Sequence, residues 1–289
     1  GLFSLPVLVA ALGYFVDVYD LLLFTIVKKT SMLGVGSTEA TLLVDSTRVI
    51  NWQMTGLLLG GIIWGVLADK KGRLSVLFGS IILYSTANFA TGFVTTVDQY
   101  AWARFIGGLG LAGELGAGIT LVSELLPKNK RGVGTSLVAG IGLFGAVAAY
   151  FTYQYTQDWR LCYKIGGVLG ICLLLLRVKV AESGMFATSK ASEVIKGNFF
   201  MLINNGKRFK KYFVAILIGL PTWYVIGILL NQSDRFGKAM FNSTTIDSGR
   251  AIMFGYVGIA VGDILIGLVS QYFKSRKKAL LLFYGFTPE

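Results

Sequence analysis

The 289-residue chain is 54% hydrophobic and only 15% charged, with a mean hydropathy of +0.66. A soluble fold of this length would lack the polar residues needed to clothe its surface, so lipid is expected to face much of it. It carries 27 Lys and Arg against 15 Asp and Glu and no histidine, so zinc, haem and histidine acid–base chemistry have no candidates and an enzyme is not expected.

The two cysteines, Cys162 and Cys172, lie in one apolar stretch, where a helix separates them by about 15 Å and excludes a disulfide. Crossing the hydrocarbon takes about 20 helical residues. Apolar runs of that size fall at 3–27, 51–68, 74–95, 99–125, 133–155, 160–177, 211–231 and 250–273, with another opening at 279–286. The expected fold is an all-α polytopic membrane protein with eight full spans and the start of a ninth. The polar segment 28–50, rich in Ser, Thr and Gly, reads as an extended loop. Asn231 and Asn242 begin glycosylation sequons. The long basic segment 178–210 reads as a linker between a six-helix bundle, 1–177, and an incomplete second bundle, 211–289. Within it, residues 195–203 could form an interfacial amphipathic helix.

With the N-terminus in the cytoplasm, inner segments hold 18 of the 27 basic residues and outer segments 7. That asymmetry is the positive-inside signature. The basicity thus reports topology, and no nucleic-acid partner is expected.

Between spans two and three stands Gly65-Val-Leu-Ala-Asp69-Lys-Lys-Gly72-Arg73. Gly72 allows a tight turn, and Asp69 and Arg73 can latch helix ends by charge-assisted bonds. The run resembles the Gly-x-Leu-x-Asp-x-x-Gly-Arg motif of the major facilitator superfamily. Arg104-Phe-Ile-Gly-Gly-Leu-Gly110, Glu124-Leu-Leu-Pro127-Lys-Asn-Lys-Arg131-Gly132, Asp158-Trp159-Arg160, Glu182-Ser183 and Gly267-Leu-Val-Ser270-Gln-Tyr-Phe-Lys-Ser-Arg276 resemble further motifs of that family, in its order. The resemblance implies two bundles rocking about a central cavity. It also implies a cytoplasmic gate from Gly65, Asp69, Gly72, Arg73, Glu124 and Arg131.

Ionisable groups inside a membrane cost about 2.5–3.5 kcal/mol each at a helix centre, so each needs a reason. Asp17 and Asp20 lie three apart on one face of the first span, where two close carboxyls tend to share a proton. The alternative is that one merely bonds a neighbouring helix. Arg104 and Glu114 share the fourth span about 15 Å apart, too far to pair. Arg104 could grip an anion or tie neighbouring helices. Glu114, flanked by glycines, could couple to protons or serve as a buried partner for an arginine. Asp263 is a coupling acid or a packing contact. Lys164 is expected to snorkel to water, and Trp52, Trp102, Trp159 and Tyr155 to anchor at the interface. Trp223 and Tyr224 follow Pro221, which can bend span seven beside the cavity.

The first-span pattern Phe15-Val-Asp17-Val-Tyr19-Asp20 resembles that of facilitators moving phosphate or organic anions with protons. The resemblance therefore implies a proton-coupled symporter of a small anionic metabolite, without metal or cofactor, working as a monomer in the bilayer. A sugar facilitator, an exporter and a non-transporting membrane sensor are the alternatives.

Overall fold

The computed structural model describes residues 5–125, 131–182, 204–242 and 246–285; the side chains at 5, 6, 73, 74, 115–125, 131, 133, 179–182, 276 and 284 lie outside that description. The described chain is helical throughout, with no strand. In order come α1 (Leu5–Gly34), α2 (Leu42–Lys71), α3 (Arg73–Thr91), α4 (Val97–Leu125), α5 (Arg131–Thr156) and α6 (Trp159–Glu182). They are followed by α7 (Gly206–Tyr224), which runs into a π-helical turn (Val225–Leu230), then α8 (Ser233–Phe241), α9 (Ser248–Tyr272) and α10 (Arg276–Gly285).

Among the described residues, six helices are long and apolar enough to cross a membrane: α1, α2, α5, α6, α9 and α7 with its π turn. Of these α1 is the most enclosed, while α7 exposes its whole length. The expected eight spans are thus met in six by length and composition. Helix α3 has the shorter apolar stretch Ser75–Thr91, and the side chains of α4 beyond Glu114 lie outside the described set.

Helix α4 lies against α2 and α3, while α1 is wrapped by α5, α6 and α4. Small residues make these crossings close. On α2, Gly56-Leu-Leu-Leu-Gly60 faces α4: a β-carbon at Gly56 would strike the Phe105 carbonyl, and one at Gly60 would strike that of Leu109. The indole of Trp64, one turn further, donates to Leu109 O at 2.6 Å.

The expected extended loop at 28–50 is a correction: α1 continues to Gly34 and α2 begins at Leu42, leaving seven residues between. Its polar residues lie on the ends of the two helices and the turn between them, and Lys28, Ser31, Ser37 and Ser46 are buried. They satisfy one another through Ser37 Oγ to Asp45 (2.8 Å), Lys29 to Glu39 (3.0 Å) and Arg48 to Asp98 (2.8 Å). Trp159 also departs from its expected interfacial place. It is buried where α1 and α4 meet α6, stacked on Tyr100 with centroids 5.6 Å apart. Trp52 and Trp102 remain partly or well exposed and pack edge to face at 4.4 Å. Lys164 lies 4.3 Å over the ring of Phe93. The thiols are free, Cys162 buried and Cys172 exposed.

At Gly72 the chain turns from α2 into α3 with φ +90°, a value suited to glycine, while its N–H still bonds Ala68 O at 3.1 Å. Pro221 sits inside α7 and cannot donate to the preceding turn; four residues later the helix widens into the π turn. The expected amphipathic segment 195–203 lies outside the described residues.

Helix α9 docks on α5, and more lightly on α1. At the end of the bundle marked by Gly34, buried Lys28 of α1 donates to Asn231 O at 2.8 Å and stands 3.7 Å from Asp234, which accepts from Ser248 at 2.8 Å. Arg250 donates to the Tyr150 hydroxyl at 3.2 Å. Asn231 is therefore a buried acceptor, which removes it as a glycan site, whereas Asn242 is exposed and ends α8 in the left-handed conformation.

The α2–α4 contact is the place to test this packing. Gly56→Ala is expected to force the helices apart and cost about 1–3 kcal/mol of stability. Gly61→Ala, where an added β-carbon meets nothing within 4 Å, should leave it unchanged, as read by thermal unfolding of the purified protein in detergent.

Candidate functional site

The site is built on one stripe of α1. Gly13, Asp17 and Asp20 follow one another at helical spacing on the side that faces α4 and α6. Helices press on α1 closely because glycine stands opposite it. A β-carbon at Gly145 of α5 would strike the Phe15 carbonyl, and one at Gly166 of α6 would meet the Asp20 carboxylate and, at 3.1 Å, the Tyr19 ring. Asp17 and Asp20 are each only 1% exposed. None of their four carboxyl oxygens has a hydrogen-bond partner of normal geometry among the described residues, although Asn88 lies near Asp20.

Arg104, 2% exposed, is fully engaged. It donates to Asn88 Oδ1 of α3 at 2.7 Å, to the Asp20 carbonyl of α1 at 2.9 Å and, more weakly, to Gln53 Oε1 of α2 at 3.4 Å. Its guanidinium also lies 5.3 Å from the centre of the Tyr163 ring of α6. One side chain thereby ties five helices together, its own included. The geometry follows the helix-tying alternative of the two raised for Arg104.

Glu114, also 2% exposed, forms a bidentate ion pair with Arg177 of α6. Arg177 Nη1 donates to Oε2 at 2.6 Å and Nη2 donates to Oε1. Both side chains lie against Gly13, where a β-carbon would meet them at once. Of the readings open for Glu114, the structure displays the buried partner of an arginine. Asp17, one turn along α1 from Gly13, is within electrostatic reach of Glu114, Arg177 and Asp20.

Beside them on α3, Tyr84 and Ser85 are completely buried, and neither hydroxyl has a partner among the described residues. Ser85 Oγ and the Tyr84 ring fill the notch at Gly170, one turn beyond Gly166 on α6. The Gly166–Gly170 strip of α6 thus receives Asp20 from α1 and this polar pair from α3. The locus contains three acids and two bases, with Glu114 matched to Arg177 and Arg104 spent on neutral acceptors.

Sequence reasoning named Asp17, Asp20, Arg104 and Glu114, and the fold brings them together. Asp263 of α9 is half-buried on the other side of α1, in electrostatic reach of Tyr14 and without a bond to the cluster. Trp223 and Tyr224 stand exposed on α7, away from it. Of the gate residues, Gly65 and Asp69 are exposed at the end of α2 and Gly72 makes the turn, while the side chains of Arg73, Glu124 and Arg131 lie outside the described set.

Sequence reasoning missed Arg177, Asn88, Gln53 and Tyr84. Arg177 was assigned to the inner loop charges. A signal for it existed, since Leu173–Leu176 and Val178 flank it within one apolar run, and it falls two turns past Gly170, on the same helix face.

The sequence pattern defining the Major Facilitator Superfamily matches residues 10–287. The chain belongs to this superfamily. As a Major Facilitator Superfamily member it is an integral membrane protein of a transporter family. It is 32% identical over 179 residues to the niacin transporter of Acinetobacter baylyi, an alignment spanning 61% of this chain and 40% of that protein. To the sialic acid transporter of Escherichia coli it is 24% identical, over 91% of this chain and 67% of the relative. A structure of a proton:xylose symporter bound to 6-bromo-6-deoxy-D-glucose superposes with a TM-score of 0.55 at 14% identity, over 97% of this chain and 55% of the symporter, a likeness of fold alone.

Arg104→Lys tests the hub, because an ammonium cannot reproduce the planar fork that reaches several helices. Each buried acceptor left unmatched costs about 1–3 kcal/mol. A clear fall in thermal stability of the purified protein is expected, with a smaller fall for Asn88→Ala, which removes one acceptor of the set.

Proposed function

We propose that the protein containing this chain is a proton-coupled symporter of a small organic or inorganic anion, with the proton carried by Asp17 and Asp20. The observation that carries this reading is the burial of two carboxyls on one helix face, neither of them hydrogen-bonded to a base among the described residues. A carboxyl so placed holds a proton when enclosed and releases it when water reaches it, which ties proton binding to the shape of the protein. Crossing with a proton also cancels the charge of a monovalent anion, sparing the cost of moving net charge through the bilayer. The names of the relatives support the anionic class, since niacin and sialic acid are both carboxylic acids.

In this reading the N-terminus is cytoplasmic, α3 and α4 complete a six-helix first bundle over 1–177, residues 178–210 link it to the second bundle at 211–289, and a monomer suffices. Arg104 holds Asn88, Gln53 and the Asp20 backbone in register and meets the anion only by releasing one of them. Trp223, Tyr224 and Asp263 belong to the half of the path formed with the second bundle. Asp69, Arg73, Glu124 and Arg131 form the cytoplasmic latch around Gly65 and Gly72. The Lys28, Asn231 and Asp234 contacts close the outer side.

The test uses the full-length protein in vesicles with an imposed pH gradient and labelled nicotinate, benzoate, phosphate, sialic acid and xylose offered singly. One of the anions should accumulate with the gradient. Asp17→Asn and Asp20→Asn should lower accumulation by about tenfold or more, a loss of at least ~1.4 kcal/mol of coupling, yet permit exchange across equal pH. Accumulation indifferent to the gradient and to both substitutions refutes the proposal.

A further inference from the structure

Arg177 is nine-tenths buried, sits on the side of α6 that faces α1, and has both guanidinium nitrogens on Glu114. Its guanidinium carbon would lie 3.2 Å from a β-carbon at Gly13, so the missing side chain there is the space it occupies. Asp17 stands four residues further along α1, about 6 Å by the helical rise. The charged and titratable groups in electrostatic reach of one another here are Asp17 and Asp20 from α1, Tyr84 from α3, Glu114 from α4 and Arg177 from α6, with Arg104 of α4 beyond them on the Asp20 carbonyl. Arg104 is committed to three other acceptors, which leaves Arg177 as the one base in the described cluster able to serve either of two acids.

Resting on the proton-carrying reading of Asp17, we propose that Arg177 is an exchangeable counter-charge that leaves Glu114 for Asp17 when Asp17 gives up its proton, the proton passing to Glu114. Before the step Asp17 is a neutral acid and Glu114 a carboxylate paired with Arg177. After it Asp17 is the paired carboxylate and Glu114 the neutral acid. One proton moves, no charge is created, and neither Asp17 nor Glu114 is left as an unpaired buried carboxylate, which would be the costly state. The guanidinium shifts by about one helical turn along the glycine notch of α1. Arg177 is a positioning residue in this scheme, and Glu114 is a second station for the proton on the way across the bundle.

The step has a spectroscopic signature that does not need transport. Infrared spectra of the purified full-length protein in lipid, taken as pH is stepped, should contain carboxylic C=O bands of which one is lost in Asp17→Asn and another in Glu114→Gln. In Arg177→Gln no base remains to favour Asp17 as carboxylate, so its band should persist to a pH about one unit or more higher. Arg177→Lys should return the titration toward that of the unaltered protein. If Glu114→Gln removes no band and Arg177→Gln leaves the Asp17 titration in place, the pair is a fixed structural tie and the inference is overturned, while the proton-carrying role of Asp17 stands. If instead Asp17→Asn removes no band, the failure lies in the proposed function. Should Arg177→Gln not fold, the loss or survival of a band in Glu114→Gln decides the matter alone.

Discussion

The bidentate ion pair between Glu114 and Arg177 is the contact on which the arrangement of the first helices depends. It joins α4 to α6 across the face of α1, in a place where neither charge could stand alone. An isolated carboxylate or guanidinium at this depth would either lose its charge or pull water after it, and both outcomes would open the helix packing. Pairing removes that need for these two groups and in doing so isolates the third and fourth. With Arg177 assigned to Glu114 and Arg104 to Asn88, Gln53 and the Asp20 carbonyl, the carboxyls of Asp17 and Asp20 are left to whatever proton they can hold.

Glycine is what lets so polar a cluster be enclosed. Among apolar helices there is little hydrophobic gain in association, so close contact between backbones and the bonds it permits must hold the bundle. Gly13 gives the ion pair its seat, Gly166 takes Asp20, Gly170 takes Ser85 and Tyr84, and Gly145 lets α5 reach the backbone of α1. Each is a position where a methyl group would displace either a backbone or a functional group. The same small residues that lower the packing area of these helices raise the precision with which the carboxyls are set.

Much of this was legible in the sequence, and the rest failed for identifiable reasons. Long apolar runs separated by short basic turns give helices of membrane length, and family motifs at Asp69 to Arg73 and at Arg104 gave the order of the elements. Asp17, Asp20, Arg104 and Glu114 stood out because charge is rare and costly inside such runs. The partners of those charges were less visible. Asn88, Gln53 and Tyr84 are ordinary polar residues whose importance arises from neighbouring helices, and no single-chain spacing relates residue 104 to residues 53 and 88. Arg177 was hidden by its position at the end of an apolar run, where a basic residue reads as an interfacial anchor. The loop expected at 28–50 failed because polar composition was taken to mean irregular backbone, whereas the facing ends of α1 and α2 are polar while remaining helical.

Helix α1 connects these observations. It carries Gly13, Asp17 and Asp20 on the side toward α4 and α6, and at its other end it carries Lys28, whose ammonium is buried against Asn231 and Asp234 of the following helices. Lys28 stands eleven residues beyond Asp17, about 16 Å along the helix. In the proposed cycle a change in the charge of Asp17 alters what holds α1 to α6 and α4, while the Lys28 contacts and the docking of α9 hold α1 to the helices that follow. A rigid rod gripped at both points cannot respond at one without loading the other. Because a packed helix shifts between discrete seats rather than bending smoothly, the proposed symport would use α1, with Asp17 near its middle and Lys28 towards its end, as the single element through which protonation biases the way the two bundles face.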